Sequence, residues 1–262
     1  IKPKLGIFKE NGEDTNIYWG DPKTGTVNVR DVMLDPFEKD DSKRFKSIYL
    51  QAPIDSTGEG HFDQSHFHIA YSSDGIHWKD YDQRPSFGKL GSQLNDVVVL
   101  NYDLDSKLYI LNTRHRDMGH VALNPRLPRT NSFFGPFNPG NFARNNKRRI
   151  FQTESSDLIH WGEPRLILGP DEQDNLDDYM YGMSQYRIGD TWIGFVNILH
   201  GVTDTMDVQL TYSLDGRNWR RIRTPWLTAG PAGSWDQWMA EFCIEPIVMG
   251  DELWFYYNGN GY

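Results

Sequence analysis

The sequence of 262 residues contains one cysteine, Cys243. A lone thiol excludes an internal disulfide and a cysteine-rich zinc cluster, and it leaves cytoplasm, periplasm and exterior all open as compartments. No run approaches the roughly 18 consecutive apolar residues of a membrane helix, so no membrane partner is expected. Positive charge is also scarce: 27 Lys and Arg stand against 36 Asp and Glu, a net charge of −9. That balance argues against nucleic acid, whose phosphates reward basic surfaces. The one basic run, RNNKRR at 144–149, reads as a solvated face beside a loop. The chain opens on Ile1 with no charged-then-apolar leader, which reads as a removed leader or a fragment. Segments of helical period and useful length are missing too.

What the sequence does hold is a repeated word. SSDGIHW at 72–78 returns as SSDLIHW at 155–161 and as SLDGRNW at 213–219. Each copy follows an alternating apolar run and precedes another, as in FHIAYSSDGIHWKDY. Alternation running into Asp-Gly is the pattern of a β-hairpin. Ser and Asp can close such a turn by bonding nearby backbone N–H groups. The Trp then opens the next strand and packs between sheets, where a large flat side chain buries most area. Trp78, Trp161 and Trp219 are therefore expected at equivalent places, each largely buried.

The segments upstream repeat as well. Those at 31–50, 96–113, 179–196 and 242–259 each read as strand, polar turn and second strand. One unit is thus four strands, the third ending in the Ser-Asp turn. Four-stranded units recurring every 40–60 residues or so are the mark of a β-propeller. The expected fold is all-β: a five-bladed β-propeller of four-stranded antiparallel blades. Full blades are expected at about 27–87, 95–169 and 178–226, with partial blades at 1–10 and 236–262. Five blades need about twenty strands, so the chain reads as cut at both ends.

The segments SSDLIHWGEPRLIL, DPFEKDDSKRFK, DVQLTYSLDGRNW and GSWDQWM…GDELWFYYNG resemble the five-bladed β-propeller glycosidases of glycoside hydrolase families 32, 43, 62, 68 and 117. The likeness is nearest to a poorly characterised bacterial group in that superfamily. It covers nearly the whole chain except an insertion at about 117–146, which reads as a lip over a central funnel. It implies an oligo- or polysaccharide substrate, cleavage of a glycosidic bond by funnel carboxylates, and no cofactor. It leaves the oligomeric state undetermined. A non-catalytic glycan-binding propeller is the alternative, and a protein-interaction propeller the third reading.

Glycoside cleavage needs a protonated acid and an ionised carboxylate flanking the bond. The starts of the inner strands offer Asp31, Asp96, Asp178 and Glu241, with Asp236 just ahead of the last. Aspartates also cap turns before strands, so position alone leaves both roles open. In the resembling enzymes a first-blade Asp is base or nucleophile, a second-blade Asp tunes and orients, and a Glu on a later blade is the acid. By that resemblance Asp31 matches the second-blade position and Asp96 stands where a Glu is usual. Glu241 or Asp236 is the candidate donor, on the last blade, and the first-blade Asp has no counterpart.

Candidate substrate contacts are Trp235 and Trp238 around Asp236, Tyr179 and Tyr181 after Asp178, Arg114 and His115 at one strand end, and His200 at another. Aromatic faces suit the apolar face of a sugar, although a propeller more often uses Trp for packing. His61, His66 and His68 look superficially like metal ligands; His66 and His68 share one strand face, but without a clear third and fourth ligand no metal is expected.

Overall fold

The computed structural model describes residues 4–10, 12–15, 26–52, 66–88, 94–115, 148–242 and 245–261; the insertion, His61 and Cys243 lie outside them. The chain divides into two compact units. The first takes residues 1–86, 102–109 and 155–161, and the second takes 87–101, 110–154 and 162–262.

In the first unit β1 (Lys9–Glu10) and β2 (Glu13–Asp14) form a short hairpin. A four-stranded antiparallel sheet follows in chain order: β3 (Thr26–Leu34), β4 (Phe45–Ala52), β5 (His66–Ser72) and β6 (Trp78–Asp80). Residues 46–50 of β4 are buried without a break, as befits a strand covered on both faces, and Ile48, Tyr49, Phe67 and Ile69 fill the core. The DPFEKDDSKRFK segment closes the β3–β4 link around a buried ammonium. Lys46 reaches Asp35 at 3.1 Å and Glu38 at 2.9 Å, and Tyr109 Oη donates to Asp35 at 2.9 Å. Burial opposes that charge, yet Glu38 and Asp35 hold the Lys46 pKa above its ordinary value. This segment, part of the family likeness, is a structural knot in the described residues.

The second sheet consists of β7 (Leu94–Asp103), β8 (Leu108–His115), β9 (Ile150–Ser155) and β10 (Arg165–Leu168), also hydrogen-bonded in chain order. The third has β11 (Asp178–Ile188), β12 (Thr191–His200), β13 (Thr205–Ser213) and β14 (Arg220–Leu227). Beyond it, β15 (Met239–Glu241) joins β13 in parallel through Met206 and Met239. A separate hairpin pairs β16 (Ile247–Met249) with β17 (Glu252–Trp254), and β18 (Asn258–Asn260) pairs antiparallel with β15. Of the described residues, 55% are strand and 2% helix.

Among the described residues of the second unit one apolar cluster is Ile150, Leu168, Met180, Met183, Val196 and Ile198, and another is Phe195, Val208 and Phe242. Beside the first runs a buried amide network. Asn112 Nδ2 donates to Gln185 Oε1 at 2.9 Å, and Gln152 Nε2 donates to Asn112 Oδ1 and Gln185 Oε1, each at 3.2 Å. Gly194 lets two layers close: a Cβ there would lie 2.5 Å from Thr211 Cγ2 and 3.0 Å from the Trp219 ring.

The repeated word folds the same way three times. Asp74, Asp157 and Asp215 each accept two backbone N–H bonds on Oδ1, from the residues two and three positions on, at 2.8–2.9 Å. Oδ2 meets His77 Nδ1 at 2.7 Å, His160 Nδ1 at 2.8 Å or Asn218 Nδ2 at 2.7 Å. The indole of each Trp donates to the carbonyl three residues back: Gly75, Leu158 or Gly216. That residue has positive φ, 75° and 69° for the glycines and 67° for Leu158. The aspartates are held well below the usual carboxylate range. The backbone N–H groups of His77 and Asn218 contribute most at Asp74 and Asp215, while at Asp157 the hydrogen bonds to His160 outweigh an opposing effect of burial.

Burial of the three indoles differs from expectation. Trp161 is 4% exposed, whereas Trp78 and Trp219 are half-buried. The second turn has a cover: Ser86 donates its N–H to Ile159 O at 2.7 Å and accepts from Trp161 N at 2.8 Å. That added backbone shields Trp161.

Candidate active site

Asp178 and His200 are direct cross-strand partners of β11 and β12, and His200 pairs in turn with Thr205 of β13. Asp207, two residues further along β13, shares a face with Thr205 because strand side chains alternate. The three side chains meet. His200 Nδ1 lies 2.8 Å from Asp178 Oδ1, and Nε2 lies 2.9 Å from Asp207 Oδ2. With a carboxylate at each nitrogen both must donate, so the ring is an imidazolium. The Asp207 hydrogen bond is the largest cause, and despite burial the His200 pKa is raised to about 9. Asp178 Oδ2 accepts from Asn175 N at 3.0 Å and from Asn175 Nδ2 at 3.2 Å, so both carboxylate oxygens are fixed.

Neighbouring residues hold this group in place. Asp177 accepts Gly201 N on its carbonyl at 2.9 Å and Val202 N on Oδ2 at 3.1 Å, tying the start of β11 to the end of β12. Gly201 also makes room for Tyr179, since a Cβ there would lie 2.7 Å from its ring. Burial pushes the Tyr179 phenol up. The β11–β12 register shifts between Met180 and Gly182. There the Tyr181 ring is faced by two guanidinium groups, Arg114 at 4.1 Å and Arg148 at 4.8 Å from its centroid.

A second cluster occupies the loop before β15. Trp235 is 62% exposed, and its ring centroid lies 5.4 Å from that of Tyr257 with planes 32° apart. Asp236 is buried and accepts from Ser234 Oγ at 2.7 Å and from Tyr257 Oη at 2.9 Å. Those bonds, Ser234 first, lower its pKa. Trp238, partly exposed, accepts Met206 N on its carbonyl at 3.0 Å, which joins the loop to β13 one residue before Asp207.

The structure thus brings Asp178 together with His200, sets Tyr179 against Gly201, stacks Arg114 on Tyr181, and gathers Trp235, Asp236 and Trp238 on one loop. Asp31 belongs to the first unit, buried in β3, where its Oδ1 accepts Val32 N at 2.8 Å. Glu241 is half-buried in β15 opposite Asn258. Asp96 and His115 fall on β7 and β8, and their side chains lie outside the described residues. As a proton donor Asp236 would need a raised pKa; its hydrogen bonds favour the ionised form instead. His66 is exposed, and His68 stacks on Tyr49 at 5.2 Å with its pKa lowered by burial. Among the described residues no group of three or more His, Cys, Asp or Glu side chains is arranged to hold a metal ion.

Sequence reasoning missed Asp207, Arg148, Tyr257 and Glu245. Burial alone pushes the Glu245 carboxyl up to about 7. Its signal was a single acid inside the apolar run FCIEPIVM. For Asp207 the signal was the alternation of TDTMDVQ, which puts Thr205 and Asp207 on the face His200 occupies.

No protein-family model matches the sequence, and no curated protein matches it. Solved structures match its fold. A putative glycosidase from Bacteroides thetaiotaomicron is 14% identical, with 91% of this chain and 69% of that one covered at a TM-score of 0.53. A structure from the GH130 family of mannoside phosphorylases, described as containing glycoside hydrolases that target β-1,2 mannosidic linkages in Candida mannan, is 14% identical at a TM-score of 0.54. The match covers 84% of this chain and 58% of that one. The GH32 β-fructofuranosidase of Bombyx mori is 15% identical, with 91% of this chain and 42% of that one covered at a TM-score of 0.50. This chain therefore spans less than two thirds of the length of the last two. The likeness defines the fold class, an all-β protein with the five-bladed β-propeller fold of glycosidases.

Proposed function

We propose that this is a carbohydrate-active protein of the glycoside hydrolase type, cleaving a glycosidic bond with carboxylates of its β-propeller. The observation that carries this reading is the Asp178–His200–Asp207 group. It sets a carboxylate, held by hydrogen bonds on both oxygens, at the start of a sheet's first strand, in a fold that solved glycosidases share. Such a carboxylate faces the positive charge that develops on the sugar ring in an oxocarbenium-like transition state. Both oxygens of Asp178 are already engaged, so its part is charge stabilisation rather than proton transfer. The donor must hold its proton near neutrality, and Glu245, pushed up by burial, has that property. Arg114 and Arg148 clamp Tyr181, three residues further along β11.

The binding-only reading has one observation in its favour: Asp178 and Asp236 both spend their oxygens on protein donors. A panel of aryl glycosides and oligosaccharides separates the two. Hydrolysis lost by about 10²–10⁴-fold in Asp178→Asn and Glu245→Gln supports the enzyme. Saccharide binding without cleavage supports the binder, and neither binding nor cleavage refutes both.

A further inference from the structure

The loop 230–238 is built around an exposed aromatic ring. Its backbone is cross-braced: Gly230 N donates to Asp236 O at 2.9 Å, Ser234 N to Pro231 O at 3.0 Å, and Trp238 N to Asn260 O at 2.9 Å. Gly233 N donates to Gln237 Oε1 at 2.7 Å. Three glycines permit the packing. A Cβ at Gly259 would lie 2.2 Å from the Trp235 ring, at Gly261 2.6 Å from Ser234 O, and at Gly230 2.1 Å from Asp236 Oδ1. All this order presents a side chain that is 62% exposed. Exposing a large ring forgoes burial, and holding it rigid adds an entropic cost, so the arrangement suits a ligand-binding face better than a packing role.

We propose that Trp235 is a stacking platform for the apolar face of a neutral sugar ring, and that Asp236, through Ser234 and Tyr257, is the positioning residue that holds it. The chemistry around the ring selects the class of ligand. Residues 229–238 (AGPAGSWDQW) contain no Lys or Arg, and neither do 255–261 (FYYNGNG). A carboxylated, sulfated or phosphorylated sugar would meet Asp236 and no cation from these two segments. Hydroxyl and amide groups are at hand instead: Asn258 is exposed, and Gln237 is half-buried. Asp236 is then not a catalytic residue. Its oxygens anchor Ser234 on one side and Tyr257 on the other, and the Tyr257 ring backs the indole.

This inference rests on the carbohydrate reading above, and the test separates their failures. Neutral and anionic oligosaccharides are titrated against the protein, following the Trp235 indole N–H by NMR and affinity by calorimetry, with aryl-glycoside hydrolysis measured in parallel. Neutral sugars should shift the Trp235 signal. Trp235→Ala should weaken binding about tenfold or more, or raise KM with kcat unchanged, while Trp235→Tyr recovers part of the loss. Tyr257→Phe removes only the hydroxyl that reaches Asp236; it should weaken sugar binding several-fold at an unchanged melting temperature. Asp236→Asn, which keeps an acceptor, should be milder than Asp236→Ala. Sugar bound or cleaved with equal affinity by Trp235→Ala, or tight binding of only anionic sugars, overturns the platform and leaves the carbohydrate reading standing. No saccharide bound or cleaved by the wild-type protein overturns both.

Discussion

His200 is bonded to Asp178 across the β11–β12 ladder at 2.8 Å and to Asp207 along the neighbouring strand at 2.9 Å, so one imidazolium joins three strands. The bond pair has a pH signature. Folding raises the His200 pKa from 6.5 to about 9, so its contribution is fully present below about pH 6.5. It is lost as pH rises through about 9. Denaturant unfolding of wild type and His200→Asn should differ by about 2–3 kcal/mol at pH 6, and by much less at pH 10. An NMR titration that places His200 near 6.5 would refute the clamp.

The repeat turns give the opposite sign. The backbone N–H of Asn218, then its side chain and the N–H of Arg217, hold Asp215 well below the usual carboxylate range. Its stabilisation is present above about pH 4 and lost as pH falls. Asp215→Ala should cost about 1–2 kcal/mol at pH 7 in urea unfolding, by analogy with loss of a capping residue, and progressively less in acid.

Leu158 occupies a position that is glycine in the other two copies, at φ 67°. Placing glycine there relieves about 1–2 kcal/mol of left-handed strain. Leu158 is also only 2% exposed, however, and loss of a buried leucine costs about 2–5 kcal/mol. Packing outweighs strain, so Leu158→Gly should destabilise the protein by about 1–3 kcal/mol. Gly216→Ala, strained and with its Cβ only 3.2 Å from Trp192 Nε1, should cost about 1–2 kcal/mol or more. Thermal and urea unfolding of the two variants check both signs; a more stable Leu158→Gly protein would show that strain wins.

If Glu245 donates the proton in glycoside cleavage, activity should fall as pH rises through about 7, where burial has moved its carboxyl. Glu245→Gln should remove that alkaline limb together with most of the rate. A pH–rate profile of wild type flat from pH 6 to 8 would exclude it.

The strands and their order were legible because the hydrophobic period and the Ser-Asp-Trp word are local signals. SSDLIHW announces its turn although leucine replaces glycine, since Asp157 still finds the N–H groups of Ile159 and His160. The site was legible by half. Asp178 and His200 stood out at strand ends, but nothing local pairs residues 22 positions apart, and the β11–β12 register does that. Asp207 and Tyr257 gain their roles from partners on other strands. Glu245 gains its raised pKa from burial, which the apolar letters around it only hint at. Trp161 and Trp219 carry the same letter but differ in burial; among the described residues the second turn has the Ser86 segment bonded to it.

The hydrogen bonds common to all three copies of the turn run within its own seven residues, from Ser to Trp. The turn is therefore portable: a gene segment encoding it can be copied into a new sheet and fold there without adjustment by its neighbours. The strands on either side carry no such independence, because each must match the partner it meets. Duplication followed by divergence would thus keep the word and rewrite the sentences around it, which is the state of the three copies here.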